Sequence, residues 1–383
     1  MTTSTLAVPI DSHLHPVPSW ALADHPMPTG REEVWRFTPM RVVTPLLTDA
    51  PAAGSLTRSD SLPDGVTARV ISVDEARALS GDAPVDRTSS LAVENVTQAL
   101  LIEVPAELEL ITPVEVSFTG VGAQRSYDWV VFQIGHHAKA SIVVKYEGSA
   151  EHLVKTDVLV GDAADVNFVS VHDWADDTLH AGQISYVVGR DAQLRTVSAT
   201  MGGKLVRLVE RATYAGPGGQ LEQFGLYFVN GEHHVEHRIF VDHNEPKTVS
   251  HCDYRGALQG KGAHSVWVGD VLIRKAAEGI TTYESNKNLV LTEGCRADSV
   301  PNLEIETGEI EGAGHSASTG RFDDDQLFYL RSRGIPEDEA KRLVVQGFFL
   351  DIIRKIGVNE LEERLMAAVD AELEIMTQHS EGN

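Results

Sequence analysis

Short alternating runs of apolar and polar residues dominate the chain from Leu101 onward, and this pattern predicts β-strands. Clear examples are Trp129–Ile134, Ser141–Val144, Asn167–Val171 and Ile184–Val188. Glycines interrupt the runs, and no helical period of 3.6 residues appears until the C-terminal part of the chain. We therefore predict a mainly β core over residues 99–320.

A glycine-containing turn recurs within this region at a nearly fixed spacing. Its clear copies begin at Gly135, Gly161, Gly189 and Gly216, so that successive copies lie 26, 28 and 27 residues apart, and weaker copies begin at Gly260 and Gly294. Such a spacing is typical of repeat proteins, in which each unit buries its apolar face against its neighbours. Because the units consist of strands and turns, we predict a β-solenoid (β-helix). An antiparallel sandwich is the alternative, but its turns usually recur every 8–12 residues.

Helical patterns flank this core on both sides. The N-terminal region, residues 1–98, shows short helical segments at Arg31–Phe37, Val73–Leu79 and Leu91–Leu100, and Thr38-Pro39 is expected to end the first of them. Pro51–Asp64 is rich in proline, serine and glycine, which is typical of a connector.

The C-terminal domain, residues 321–383, is predicted to be helical. Its three helices are expected at Asp324–Arg333, at Glu337–Ile356 and from Asn359 to Met376. The second helix carries apolar residues on more than one side. One part of its surface can therefore pack on the β core while another part is left for a partner.

Composition narrows the classes of function. The net charge of −24 argues against binding to nucleic acid or to an anionic membrane surface, since both require a basic face. The two cysteines, Cys252 and Cys295, form no CxxC pair, so a disulfide scaffold is not expected. A location in the reducing cytoplasm is expected instead. The N-terminus lacks the features of a signal peptide, and no uninterrupted apolar segment is long enough to span a membrane.

The pair His13 and His15 resembles the HxH metal motif of amidohydrolase barrels, which makes a metal-dependent hydrolase the alternative function. Such an enzyme needs eight strands alternating with eight helices. The middle of this chain shows no helices, so the motif is expected to be incidental.

A second histidine cluster spans His233 to His237. On a strand, side chains alternate between faces, so His233, Val235 and His237 are expected on one face and His234 and Glu236 on the other. This separation argues for ordinary polar positions on strands and turns rather than for a metal site. Arg255–Gly262 is too short between its glycines for a phosphate loop, so the chain is not expected to bind a nucleotide itself.

Several segments resemble the SufB/SufD family, whose members are subunits of the SufBCD complex that assembles iron–sulfur clusters. They are Gly30–Pro39, His237–Pro246, Tyr254–Gly260, Tyr283–Leu291, Pro301–Ile305 and His315–Ile335. The resemblance implies a right-handed parallel β-helix that pairs with the paralogous SufB subunit. It also implies a SufC ATPase bound to the C-terminal helical domain, and we place that contact at Leu343, Phe348, Phe349 and Ile352.

Two departures from SufB-like chains favour the SufD type. Asn286 stands where SufB-like chains carry a cysteine, and Ser316 replaces the glutamate that follows their histidine. The resemblance assigns His315 to the binding of the nascent cluster, although Ala313 stands where many relatives have a cysteine. It implies a non-catalytic scaffold whose cargo is a transient cluster or iron shared with SufB, and it leaves flavin binding open. A carbohydrate-binding or lyase solenoid would instead carry an exposed ladder of aromatic residues, which the sequence does not show.

Overall fold

The computed structural model describes residues 16–321, 324–357 and 359–380. Its central part is built from eighteen strands. They are β1 (Thr57–Ser61), β2 (Thr67–Ser72), β3 (Gln98–Val104), β4 (Val114–Gly120), β5 (Arg125–Ile134), β6 (Lys139–Gly148), β7 (Glu151–Val160), β8 (Asp165–Trp174), β9 (Leu179–Val188), β10 (Gln193–Gly202), β11 (Leu205–Tyr214), β12 (Gln220–Asn230), β13 (His234–His243), β14 (Val249–Gln259), β15 (His264–Ile273), β16 (Thr281–Val290), β17 (Arg296–Ile305) and β18 (Gly312–Arg321).

The helices lie before β1, between β2 and β3, and after β18. They are α1 (Met40–Leu47), α2 (Val73–Leu79), α3 (Arg87–Asn95), α4 (Asp324–Ser332), α5 (Glu337–Ile353) and α6 (Asn359–Ser380). Two short 3₁₀ turns, Leu22–Asp24 and Glu33–Trp35, precede α1. None of the helices in the described ranges is long and apolar enough to cross a membrane.

The strands form two sheets of nine. The first sheet has the order β1-β4-β6-β8-β10-β12-β14-β16-β18, and the second has the order β17-β15-β13-β11-β9-β7-β5-β3-β2. From β3 onward, successive strands of the chain alternate between the sheets and pair in parallel with the strand one coil away. Only β1 and β2 pair antiparallel. The predicted β-solenoid is confirmed, and neither an antiparallel sandwich nor an eightfold barrel forms.

The repeated glycine turn lies at the corner where the chain passes from the second sheet to the first. Gly161 and Gly189 stack on the corner of the preceding coil, and an added Cβ would lie 2.6 and 2.7 Å from a backbone nitrogen there. Such an approach excludes any larger residue. Two positions later the backbone turns left-handed, with φ of 55° at Ala163 and 54° at Asp191.

The weaker copies of this motif have a different origin. Gly260 and Gly294 lie at the opposite corner, between β14 and β15 and between β16 and β17. The coil also lengthens along the chain: Lys139 pairs with Asp165, whereas Val249 pairs with Thr281. The repeat predicted from the sequence is therefore confirmed for the first coils only.

The N-terminal region covers the outer face of the second sheet. Helix α3 begins at a capping box on Asp86 and ends at Asn95, so the predicted helix Leu91–Leu100 is wrong in its second half, where β3 begins. Pro39 does not end a helix but precedes α1, since proline is well suited to a helix start. The buried guanidinium of Arg207 on β11 joins Asp86 to Glu236 and thereby fixes this region to the sheet.

The C-terminal helices cover the outer face of the first sheet. Phe349, Ile352 and Ile353 of α5 are buried against the aliphatic and aromatic side chains of β8, β10 and β12. Helix α6 completes this layer with Leu365 and Val369. The molecule is thus a stack of helices, sheet, sheet and helices, with the main apolar core between the two sheets.

Candidate functional site

The last coil of the solenoid is open to solvent. Strands β17 and β18 are the end strands of the two sheets, so each has a neighbouring strand on one side only. Most residues of β17 are half-buried and most residues of β18 are exposed. Edge strands of this kind present unpaired backbone groups and are natural sites of association.

His315 lies on β18 at this open end. Small residues surround it on the strand, among them Ala313, Gly314 and Ser316, and its side chain is 43% exposed. The small neighbours that set His315 apart in the sequence leave its ring uncovered on this strand. An imidazole placed there is accessible to an ion or to a second protein.

Beneath His315 runs a column of residues in register, one from each coil. His315 pairs with Glu284 of β16, and Glu284 pairs with Cys252 of β14. The Nδ1 atom of His315 lies 3.9 Å from the Oε1 atom of Glu284. Cys252 is buried, and burial with the nearby carboxylates raises the pKa of its thiol well above the usual range. The cysteine is therefore held as a neutral thiol in the interior.

Glu284 is the functional candidate that sequence reasoning missed. It is buried, and burial followed by repulsion from Asp270 raises its pKa to about 8. Its Oε1 atom has no hydrogen-bond partner among the described residues. Glu284 precedes His315 by one coil, so the two residues could have been paired from the sequence only if the register of β16 and β18 had been known.

Asn286 belongs to a separate buried network. Its side-chain amide donates to the Tyr227 hydroxyl at 3.0 Å and to the Tyr254 carbonyl at 3.2 Å, and its carbonyl accepts from Ser299 at 2.6 Å. Asn286 thus holds together the two sheets. Its polar groups are saturated, which gives it a structural part in this fold.

The histidine cluster on β13 separates as predicted. His237 points into the solenoid, where its Nε2 atom lies 3.2 Å from the Thr200 hydroxyl. His234 lies on the outer face with Glu236, at 3.3 Å, and contacts His264. Both faces are covered, so His234, Glu236 and His237 are buried polar positions of the strand.

A third group of histidines, which the sequence did not single out, lies inside the first coils. His152 and His180 contact each other through their Nδ1 atoms at 3.2 Å, and His172 stacks on Tyr146. Burial lowers the pKa of His172 to about 3 and that of His180 well below its usual range. His172 and His180 are therefore neutral core residues. Among the described residues, no three His, Cys, Asp or Glu side chains are arranged to hold a metal ion by themselves.

The predicted SufC contact needs correction. Phe349 and Ile352 are buried between α5 and the first sheet, and Phe348 is half-buried, because the broad apolar surface of α5 is used to pack on the strands. Only Leu343 of the four remains largely exposed, at 44%. Phe328 and Tyr329 on the adjacent α4 are exposed instead, at 73% and 54%.

His13 and His15 lie outside the described residues. The solenoid itself, however, lacks the alternating strands and helices on which an amidohydrolase metal centre is built. The fold therefore gives the hydrolase alternative no support.

Comparison with known proteins agrees with this architecture. A family model described as "SUF system FeS cluster assembly, SufBD core domain" matches residues 118–348. The chain belongs to the SufBD family. It is 46% identical to an iron–sulfur cluster assembly SufBD family protein of Mycobacterium tuberculosis over 91% of this chain and 90% of that protein. The corresponding protein of Mycobacterium leprae is 42% identical over 92% of each chain.

A more distant relative carries a more specific description. The iron–sulfur cluster assembly protein SufD of Bacillus subtilis is 24% identical over 86% of this chain and 73% of that protein. The matched core of this SufBD chain includes the whole column from Cys252 to His315. The predicted family is thereby confirmed, and with it a place in iron–sulfur cluster assembly.

Proposed function

We propose that this chain is a SufD-type scaffold subunit of a SufBCD complex, in which it helps to hold the nascent iron–sulfur cluster without turning over a substrate. One observation carries the proposal: His315 is exposed on the open last coil of the solenoid. Neutral imidazole is a suitable ligand for ferrous iron and can replace a thiolate on a cluster. Iron and cluster are cargo here.

The open coil supports pairing with SufB. An ion at His315 has no complete set of ligands among the described side chains of this chain, so further ligands must come from a second protein or from solvent. A partner that covers β17 and β18 would bring its own residues to His315. Pairing through β17 and β18 would thus place the SufB interface and the cluster-binding residue His315 on the same coil.

The departures from SufB-like chains support the SufD type. The buried network of Asn286 leaves that position without a thiol and without a free polar group. Sulfur received by a cysteine at the corresponding place would then have to come through the partner. The similarity to the Bacillus subtilis protein named SufD is in line with this division of labour.

Exposed apolar side chains on α4 and α5 support a SufC contact. Phe328, Tyr329 and Leu343 lie on two neighbouring helices and remain in solvent in the isolated chain. Exposed aromatic residues grouped on one domain are typical of a protein-binding surface. They replace the buried Phe349 and Ile352 as the predicted contact.

Co-expression with SufB and SufC, followed by affinity purification and mass determination, tests the proposal. A complex containing both partners is expected from the wild-type chain. The double variant Phe328→Ser/Leu343→Ser is expected to lose binding to SufC and to keep binding to SufB. Phe348→Leu, which changes a half-buried residue of α5, is the control and should bind both partners. His315→Ala should assemble the complex but fail to mature clusters. A wild-type chain that purifies alone, or a His315→Ala complex with full cluster yield, contradicts the proposal.

A further inference from the structure

Glu284 and His315 form a pair whose geometry has a chemical consequence. They are register partners on adjacent strands, and their closest polar atoms, Nδ1 and Oε1, are 3.9 Å apart. Nδ1 faces the carboxyl group, so the Nε2 atom on the other side of the ring faces away from it. We infer that Glu284 is a positioning residue for His315: its Oε1 atom accepts a hydrogen bond from Nδ1–H of His315 and thereby presents the Nε2 lone pair to iron.

The carboxyl group of Glu284 is itself held in place. The backbone N–H of Asn302 lies on one side of the group and lowers the pKa of Glu284, against the larger effect of burial. Gly269 on the opposite sheet provides the space, because a Cβ at that position would collide with the Oε2 atom. The Oε1 atom has no other hydrogen-bond partner among the described residues and remains available to His315.

The chemistry of imidazole makes this arrangement useful. Neutral imidazole carries one N–H and one lone pair, and the partner of the N–H decides which nitrogen can bind a metal. Histidine ligands usually donate their second nitrogen to a carboxylate, a backbone carbonyl or water, which fixes the ring and raises its basicity. The buried carboxyl group of Glu284 beneath the exposed His315 meets this requirement.

The inference rests on the proposed role of His315 as a ligand, and its test uses the isolated chain so that SufB is not needed. The probe is Co²⁺, titrated at pH 8.5 and followed by paramagnetic broadening of the His315 ring protons, which the spectrum of His315→Ala identifies. Glu284→Met removes the acceptor at similar size. Glu284→Gln keeps an acceptor oxygen, and Glu311→Gln changes an exposed residue near the start of β18 as a matched control.

We expect Glu284→Met to weaken Co²⁺ binding at His315 by about 10–100-fold. Glu284→Gln should recover part of this loss, and Glu311→Gln should bind like the wild-type chain. The circular dichroism and urea unfolding of each variant check the fold, so that weaker Co²⁺ binding by a variant as stable as the wild-type chain reports the lost acceptor. Gly269→Ala should weaken binding with Glu284 unchanged, because the added methyl group displaces its carboxyl group.

The outcomes separate the two claims. If Co²⁺ broadens the wild-type His315 protons and Glu284→Met binds with the same affinity, the positioning role is refuted while the ligand role of His315 stands. If millimolar Co²⁺ leaves the wild-type His315 protons unchanged, the ligand role fails and the inference falls with it. Failure of the chain to co-purify with SufB bears on the pairing alone.

Discussion

The two ends of the solenoid are built differently. At the first end, β1 and β2 pair antiparallel with β4 and β3 and cover the edges of both sheets. The outermost strands are largely exposed at both ends, as β1 and β2 are at the first end and β18 is at the last. We call the first end closed because antiparallel strands of the chain follow its parallel coils, and we call the last end open because, in the described residues, it stops at the parallel strands β17 and β18.

The side chains that fill the interior also differ between the two ends. The first coils contain apolar side chains such as Phe132 and Phe168 beside the buried histidines described above, whereas the last coils contain the acid and amide side chains of Glu284, Asn286 and Asn288. Bare apolar ends would drive aggregation, but a polar end can be covered by water or by a partner in turn. The polar open end is therefore compatible with a chain that is free at first and binds a partner protein later.

The largest contrast is expected from truncating core residues at the two ends. Phe132 is fully buried and packs edge-on against Phe168 with ring centroids 5.3 Å apart. Phe132→Ala should lower the free energy of unfolding by about 3–5 kcal/mol, because it leaves a cavity. Leu303→Ala on the half-buried β17 should cost about 1 kcal/mol. Urea unfolding of both variants measures the difference, and equal losses would show that the ends are equally packed.

A smaller effect is expected from pH at the closed end. Burial holds the pKa of His172 at about 3 against 6.5 in the unfolded chain. Its contribution to stability is therefore complete above pH 6.5 and is lost as the pH falls towards 3. Between pH 7 and pH 5 the loss is about 2 kcal/mol. His172→Phe, which keeps the ring stacked on Tyr146, should reduce the pH dependence of unfolding by this amount.

The control for this experiment is His136→Gln, since His136 is exposed at a turn of the same solenoid. It should leave the pH dependence as in the wild-type chain. If His172→Phe also leaves the dependence unchanged, the ring of His172 is hydrated in the folded state and the closed end is less dry than the packing indicates.

The smallest effect on stability is expected at the open end. Ser318 is exposed on β18, so Ser318→Lys should change the free energy of unfolding by less than about 0.5 kcal/mol. The same substitution should weaken pairing with SufB, since it places a long charged side chain on the proposed interface. Urea unfolding and size-exclusion chromatography with SufB measure the two effects separately. A variant that pairs normally would move the interface away from β18.

Much of the fold could be predicted from the sequence because the coil corners have strict requirements. Gly161 and Gly189 recur since each corner packs on the backbone of the one before it. The prediction weakened where the loops lengthen and Gly260 appears at the other corner, because a varying coil has no fixed period. The N-terminal helices were the least accurate part, since the boundary between α3 and β3 depends on pairing with β5.

The candidate site could be predicted only in part. His315 stood out because its neighbours are small, which is a local property of the sequence. Glu284 and Cys252 did not, because they join His315 only through the register of strands one coil apart. The burial of Phe349 likewise depends on which side of α5 meets the first sheet, and an apolar pattern on several sides does not decide this.

The path of the chain after β18 has a mechanical consequence. The polypeptide leaves the last coil at β18, and α5 then packs against β14 and β12, which lie two and three coils before it. A molecule that grips α5 therefore exerts its force on the middle of the solenoid, and β16 lies between that point and β18 in the first sheet. A force on α5 would therefore displace β12 and β14 relative to β18. The displacement would pass through β16, the strand that carries Glu284 beside His315.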